Sequence, residues 1–290
     1  MSKTIILTDS CCDLPKEIIE ELGIKVLPFT VNFGGETFHE IFDKTSREMY
    51  EMMENDPDIP KHSQINPLAF EEAYKELYEQ GYTDIISVSI NSQGSGTYNN
   101  SIIGKNDFFE NNPEAEGKVR IYNIDSKCYT IAYGYPITEA VKKIRKGSAP
   151  EEVVAYLEDW FNVCGIYVVP YSLKYAKKSG RVSAAAAFAG ELLGLKPIIL
   201  FADGTTSVVE KIRGEKNIVP KLLECAEKNM TPKTPYLLIH GKDNTLAKEI
   251  EKELSKRTGR KAEMYGEIGA VVSANIGPDI VGIVVRRKNK

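Results

Sequence analysis

The order of its apolar segments is what most limits the folds open to this chain. Short runs of strand length, at 4–7, 84–90 and 118–124, alternate with stretches whose apolar residues recur at helical spacing. Phe70, Ala73, Tyr74, Leu77 and Tyr78 form one such stripe, with Asn66 as its cap and Pro67 in the first helical position. Val153, Val154, Leu157 and Phe161 form another, preceded by Ser148 and Glu151 at capping-box spacing. Parallel strands need a crossover segment between them, so this alternation points to a layered, mostly parallel α/β sheet.

The second half keeps the pattern but changes its spacing. A strand near 165–170 leads to a short helix at 173–178 and an alanine-rich helix at 183–194. Strands at 197–201 and 207–212 flank the turn Ala202-Asp203-Gly204-Thr205. A helix at 218–228, a strand at 236–240, a helix at 246–257 and strands at 262–267 and 281–286 follow. The expectation is a two-domain α/β protein. Residues 1–160 form a three-layer, mostly parallel, Rossmann-like sheet, and residues 161–290 a smaller α/β domain with a mixed sheet. Within the first domain, 25–33 reads as one strand, Gly34-Gly35 as a two-residue hairpin, and 37–42 as the return.

In open α/β sheets ligands gather outside the carboxyl ends of the strands. Three polar exits lie there: Thr8-Asp9-Ser10, the loop 91–97, and Asp125-Ser126. The loop 91–97 reads Asn91-Ser92-Gln93-Gly94-Ser95-Gly96-Thr97 and runs into a helix. Free N–H groups and the positive end of the helix dipole suit a small carboxylate or phosphate there. With no G-x-G-x-x-G and no lysine at phosphate-loop spacing, a nucleotide triphosphate is not the natural guest. The plainer alternative is that Ser95 or Thr97 only caps the helix.

Other chemistries find little support. A net charge of −4 argues against nucleic acid as a partner. The five cysteines show neither a C-x-x-C pair nor zinc spacing and read as reduced, intracellular thiols. His39, His62 and His240 are far apart, and the flanks of Ser95 do not make a G-x-S-x-G elbow. No apolar run is long enough to span a bilayer, and the first residues run straight into a strand, so the expected location is cytoplasmic. The residues alone lead to an α/β protein with an anion site.

Short motifs in a fixed order add a resemblance. They are Thr8-Asp9-Ser10 with Asp13-Leu14-Pro15, the Gly34-Gly35 hairpin, Ser63-Gln64, Ser92 through Ser95-Gly96-Thr97-Tyr98, and Asp125-Ser126. In the second half they are Lys178-Ser179-Gly180-Arg181-Val182, Leu195-Lys196-Pro197-Ile198, Asp203-Gly204 and Ile276-Gly277-Pro278. Together they resemble the DegV family along nearly the whole chain. The resemblance implies a non-catalytic carrier that binds a long-chain fatty acid, such as palmitate, between its domains. It implies no cofactor and no metal, and a separate fatty-acid kinase as partner. Carried over residue by residue, the implied head-group site is Ser63 and Ser92, then His62 and Asn91. Ser95, Gly96 and Thr97 lie at the helix start, with Asn275 and Arg181 near the mouth.

On that reading Ser92→Ala would remove a hydrogen bond to a charged group, a loss on the order of 1.5–3 kcal/mol. The chain departs from the family pattern at His62, where the family has Thr, at Asn91 of the serine pair, and at Asn275, where H-x-G-P-G is usual. Two other readings stay open: a binder of a different anionic or amphipathic ligand, and an enzyme acting on acyl or phosphorylated small molecules.

Overall fold

A computed structural model of the chain describes residues 3–188 and 194–288. It begins β1 (Thr4–Asp9), a single 3-10 turn (Ser10–Cys12), α1 (Lys16–Leu22), β2 (Lys25–Leu27), β3 (Thr30–Phe33), β4 (Glu36–His39), α2 (Ser46–Asn55) and β5 (Lys61–Ser63). Next come α3 (Pro67–Glu79), β6 (Asp84–Ser89), α4 (Thr97–Asn111), β7 (Arg120–Asp125), α5 (Ile131–Arg145) and α6 (Pro150–Val163). The second half holds β8 (Cys164–Pro170), α7 (Lys174–Ser179), α8 (Ser183–Ala187), β9 (Leu195–Ala202), β10 (Thr205–Arg213) and α9 (Ile218–Asn229). It ends with β11 (Tyr236–His240), α10 (Thr245–Thr258), β12 (Met264–Glu267), α11 (Ala270–Ile276) and β13 (Ile280–Arg286). Residues 189–193 of the alanine-rich segment lie outside the described residues.

The first sheet is parallel throughout, in the order β2-β1-β6-β7. β6 is buried at all six positions because helices cover both its faces, α4 on one side and α6 on the other. The second sheet has six strands in the order β10-β9-β8-β13-β11-β12 and is mixed, its single parallel pair being β11 with β12. Its side chains alternate between two cores. Tyr167, Val169, Leu238 and Ile283 join α9 and α10 on one face, whereas Ile166, Val168 and Ile239 point to the core shared with the first half. One half therefore covers the open face of the other. The α/β class and the parallel-then-mixed sheets agree with the sequence reading, although the second sheet is the wider of the two.

Several local expectations hold and several need correction. Gly34 and Gly35 both adopt positive φ, at 59° and 78°, as a two-residue hairpin between Phe33 and Glu36 requires. Asn66 Oδ1 accepts the N–H of Ala69, with Pro67 opening α3. The strand expected at 25–33 is instead two strands. β2 joins the parallel sheet, while β3 pairs with β4 and β5 in a separate antiparallel sheet. Pro28, which has no N–H for a ladder, lies between them. The cap of α6 is one residue later than its spacing suggests. Pro150 takes the first helical position, and Glu152 rather than Glu151 accepts the N–H of Ala149.

All five cysteines are free thiols, four of them buried. Among the described residues no helix is long and apolar enough to cross a membrane, and no cluster of ligating side chains is suited to a metal ion.

Where the halves meet, three carboxyl groups are buried. Asp9 accepts the hydroxyl of Tyr133 at 2.6 Å and the N–H of Ile90 at 2.8 Å. Glu40 accepts Ser10 Oγ at 2.5 Å and, across the joint, the N–H of Val271 at 2.7 Å. Asp13 lies beside it, both its oxygens without a hydrogen-bond partner. Burial pushes all three groups upward, Asp9 to about 7, with the neighbouring Glu40 adding to the rise at Asp13.

Candidate functional site

An apolar slot runs between the carboxyl ends of the parallel strands and the inner face of the second sheet. The first half contributes Phe29, Ile90, Gly94, Ser95, Tyr129 and Thr130. The second contributes Ile166 and Val168 from β8, Phe201 from β9, Ile239 from β11 and Ile280 from β13, with α11 adding Val271, Val272 and Ile276. Tyr129 and Phe201 meet edge to face across the joint, their ring centroids 5.6 Å apart. The cavity is slim, about 70 Å³.

One end of the slot carries the polar groups His62, Arg181 and Asn275. His62 projects from β5, whose pairing with β3 sets Val31 opposite it. Arg181 follows directly on Gly180, which ends α7, and remains exposed. Asn275 sits in the last turn of α11 and donates from Nδ2 to Val271 O at 2.7 Å and to His62 Nε2 at 2.9 Å. That second bond assigns Nε2 as an acceptor, so the ring is neutral with its proton on Nδ1. Burial pushes the imidazole below its ordinary range, and the nearby guanidinium of Arg181 pushes it the same way. The mouth therefore combines one permanent cation with a ring kept uncharged.

The loop 91–97, which leads into α4, is closed by hydrogen bonds within the protein. Asn91 N–H donates to Cys128 O, Ser92 N–H to Asp125 Oδ1, and Gln93 N–H to Asn91 Oδ1. Gly94 and Ser95 N–H both donate to Asn91 O, Gly96 N–H to Gln64 Oε1 at 3.0 Å, and Thr97 N–H to Ser95 Oγ at 3.3 Å. Every backbone donor from Asn91 to Thr97 thus has an acceptor within the protein. A Cβ at position 96 would lie 2.4 Å from Gln64 Oε1, so a larger residue there would push the Gln64 side chain off this bond.

The sequence-derived site residues consequently divide. His62, Arg181, Asn275 and Ser95 come together around the slot. Ser63 is exposed on β5, paired with Thr30, and does not line it. The Ser92 hydroxyl is turned to the carboxylate of Asp125. Asn91 is buried and acts as a strap, its Nδ2 donating to Tyr129 Oη and, across to the β9–β10 turn, to Gly204 O, both at 2.9 Å. Gly96 is engaged by Gln64, and Thr97 is fully buried. Phe29, Tyr129, Thr130, Val271 and Val272 were not singled out from the sequence. The last polar strand exit, Asp125-Ser126, lies three residues ahead of Tyr129 and was the one available signal.

Comparison with known proteins agrees with this architecture. A DegV domain-containing protein of Clostridium perfringens is 29% identical over 98% of this chain and 99% of its own length. Among solved structures, a fatty acid (stearic acid)-binding protein from Eubacterium ventriosum superposes with a TM-score of 0.86 at 28% identity, covering 99% of both chains. DegV from Bacillus subtilis, described as a fatty acid binding protein, gives 0.82 at 28% identity over 98% of this chain and 99% of that one. The model of the DegV family of uncharacterised proteins matches residues 3–288, both sheets and the slot between them included, and on that extent the chain belongs to the DegV family.

Proposed function

We propose that this protein binds a long-chain fatty acid, with the acyl tail in the slot and the carboxylate at the mouth. The observation that carries the reading is the slot's division into apolar walls drawn from both halves and a single polar end bearing Arg181, His62 and Asn275. A fatty acid has the same division. The family relatives described as fatty acid binding proteins support it. Tail burial supplies most of the affinity, about 0.8 kcal/mol per CH₂ before the costs of ordering. Arg181 offers a charge-assisted hydrogen bond to the head.

In this reading the head group is held by Arg181, His62 and Asn275, with Ser95 beside them, rather than by Ser63 and Ser92. The protein works as a carrier. A kinase acting on the carboxylate would meet it at the mouth. Native mass spectrometry of the purified protein, followed by titration of the delipidated protein with palmitic acid, tests the reading. A co-purified acid of about sixteen carbons and saturable binding are expected; methylene count sets the length scale. A bound non-acyl molecule, or no binding of palmitic acid, would overturn it.

A further inference from the structure

Thr130 combines two costs at one position on the wall of the slot. Its backbone lies at φ 59°, ψ −153°, a region that is almost exclusively glycine's and is especially unfavourable for a β-branched side chain. Its Oγ1 is buried without a hydrogen-bond partner, a condition shared among the described residues only with the two carboxylate oxygens of Asp13. The residue stands just ahead of α5, where a threonine hydroxyl ordinarily caps a free N–H, yet no such bond is made.

The conformation is nonetheless firmly held. Thr130 N–H donates to Cys11 O at 3.0 Å, and Thr130 O accepts the N–H groups of Tyr133 and Gly134 at 3.1 and 3.2 Å. Tyr129, its neighbour on the wall, is already engaged by Asn91 Nδ2 at its hydroxyl. Among the described residues Thr130 Oγ1 is thus the one buried side-chain polar atom on the slot's wall left without a partner.

We propose that Thr130 is a specificity-determining residue that favours fatty acids carrying a hydroxyl on the acyl chain. The inference rests on the fatty-acid reading and deepens it. One turn of about 120° around χ1 carries the threonine hydroxyl into the place of its methyl group, the methyl moving to that of the Cβ hydrogen. Turned toward the slot, Oγ1 meets a partner when the chain carries an oxygen at that depth and meets none when the chain is plain. Since Oγ1 both donates and accepts, a single chain hydroxyl satisfies it.

The test titrates the delipidated full chain with palmitic acid and with a series of hydroxypalmitic acids differing in hydroxyl position. One isomer is expected to bind about three- to tenfold more tightly than palmitic acid. Thr130→Val, which keeps the β-branched shape, abolishes that preference, so that the hydroxylated isomer and palmitic acid bind the variant alike, whereas Thr130→Ser preserves it. Melting curves of both variants without ligand establish that they fold. A flat response across the series, or a preference that survives in Thr130→Val, overturns the proposal. An equal loss for palmitic acid and the hydroxylated acid in Thr130→Val also overturns it, by assigning the hydroxyl to the head group or the fold. Failure of wild type to bind palmitic acid at all would instead remove the fatty-acid reading beneath it.

Discussion

The loop 91–97 and the mouth of the slot are both polar, and they end in opposite conditions. In the loop, each backbone N–H from Asn91 to Thr97 is consumed by an acceptor inside the protein, and the Ser92 hydroxyl is consumed by Asp125. At the mouth, Arg181 stays exposed and His62 and Asn275 are half-buried around an opening. Polar residues at a strand exit can either build a loop or recognise a ligand, because a donor already satisfied at short range has little left to offer. Loop 91–97 builds. It fixes Gly94 and Ser95 as wall and ties the first half to Gly204 of the second.

Mutation can break or sharpen this contrast. The largest effect is expected from Arg181→Ala, which removes the one full cation lining the slot among the described residues and should weaken palmitic acid binding about tenfold. Calorimetric titration measures it, and an unchanged dissociation constant would place the head group elsewhere.

A smaller effect is expected from pH. In the free protein His62 titrates below its ordinary range, and an arriving carboxylate favours the charged ring, so its pKa is higher in the complex. Affinity should then rise as pH falls through the pKa of the complex and level off below that of the free ring, by about two- to fivefold in all. Titrations of wild type and His62→Gln at about pH 7.5 and 6 resolve this, because the prediction requires the variant to be flat over that range. An identical pH profile in the two proteins would exclude His62 from the head-group site.

The smallest effect belongs to the loop. The geometry moves the expectation for Ser92→Ala away from a direct loss of ligand affinity. The variant should lower the melting temperature by freeing Asp125, while palmitic acid affinity stays within about twofold. A tenfold loss of affinity without a loss of stability would show that Ser92 leaves Asp125 to meet the ligand.

Much of the fold could be read from the residues, because its signals are local. The α3 stripe with its Asn66 cap, the two-glycine hairpin and the alternation of strand and helix each arise within a few positions. What escaped is short or non-local. β5 has three residues and α11 seven, and α11 has no side-chain cap at its start. Those two elements bring His62 and Asn275, 213 residues apart in the chain, into one hydrogen bond. The satisfaction of loop 91–97 was equally hidden, since it depends on Gln64, Asp125 and Cys128 arriving from other segments. Thr130 is the extreme case: nothing in Tyr129-Thr130-Ile131 announces a backbone conformation that belongs to glycine.

The three acids at the joint carry a further consequence, best expressed as proton counting. Asp9, with its carboxyl pushed up to about 7 from 3.8, keeps a proton in the folded chain that an unfolded chain would release, and Asp13 and Glu40 shift in the same direction. Stability from such groups is full below the unfolded value and is lost as pH rises through the folded one. Glu40 accepts the N–H of Val271, and Val271 lines the slot. Unfolding near neutral pH therefore releases protons, and the stability of the joint is a quantity that alkalinity draws down. A wall of the binding slot is tied at Val271 to a carboxyl whose burial works against its charge.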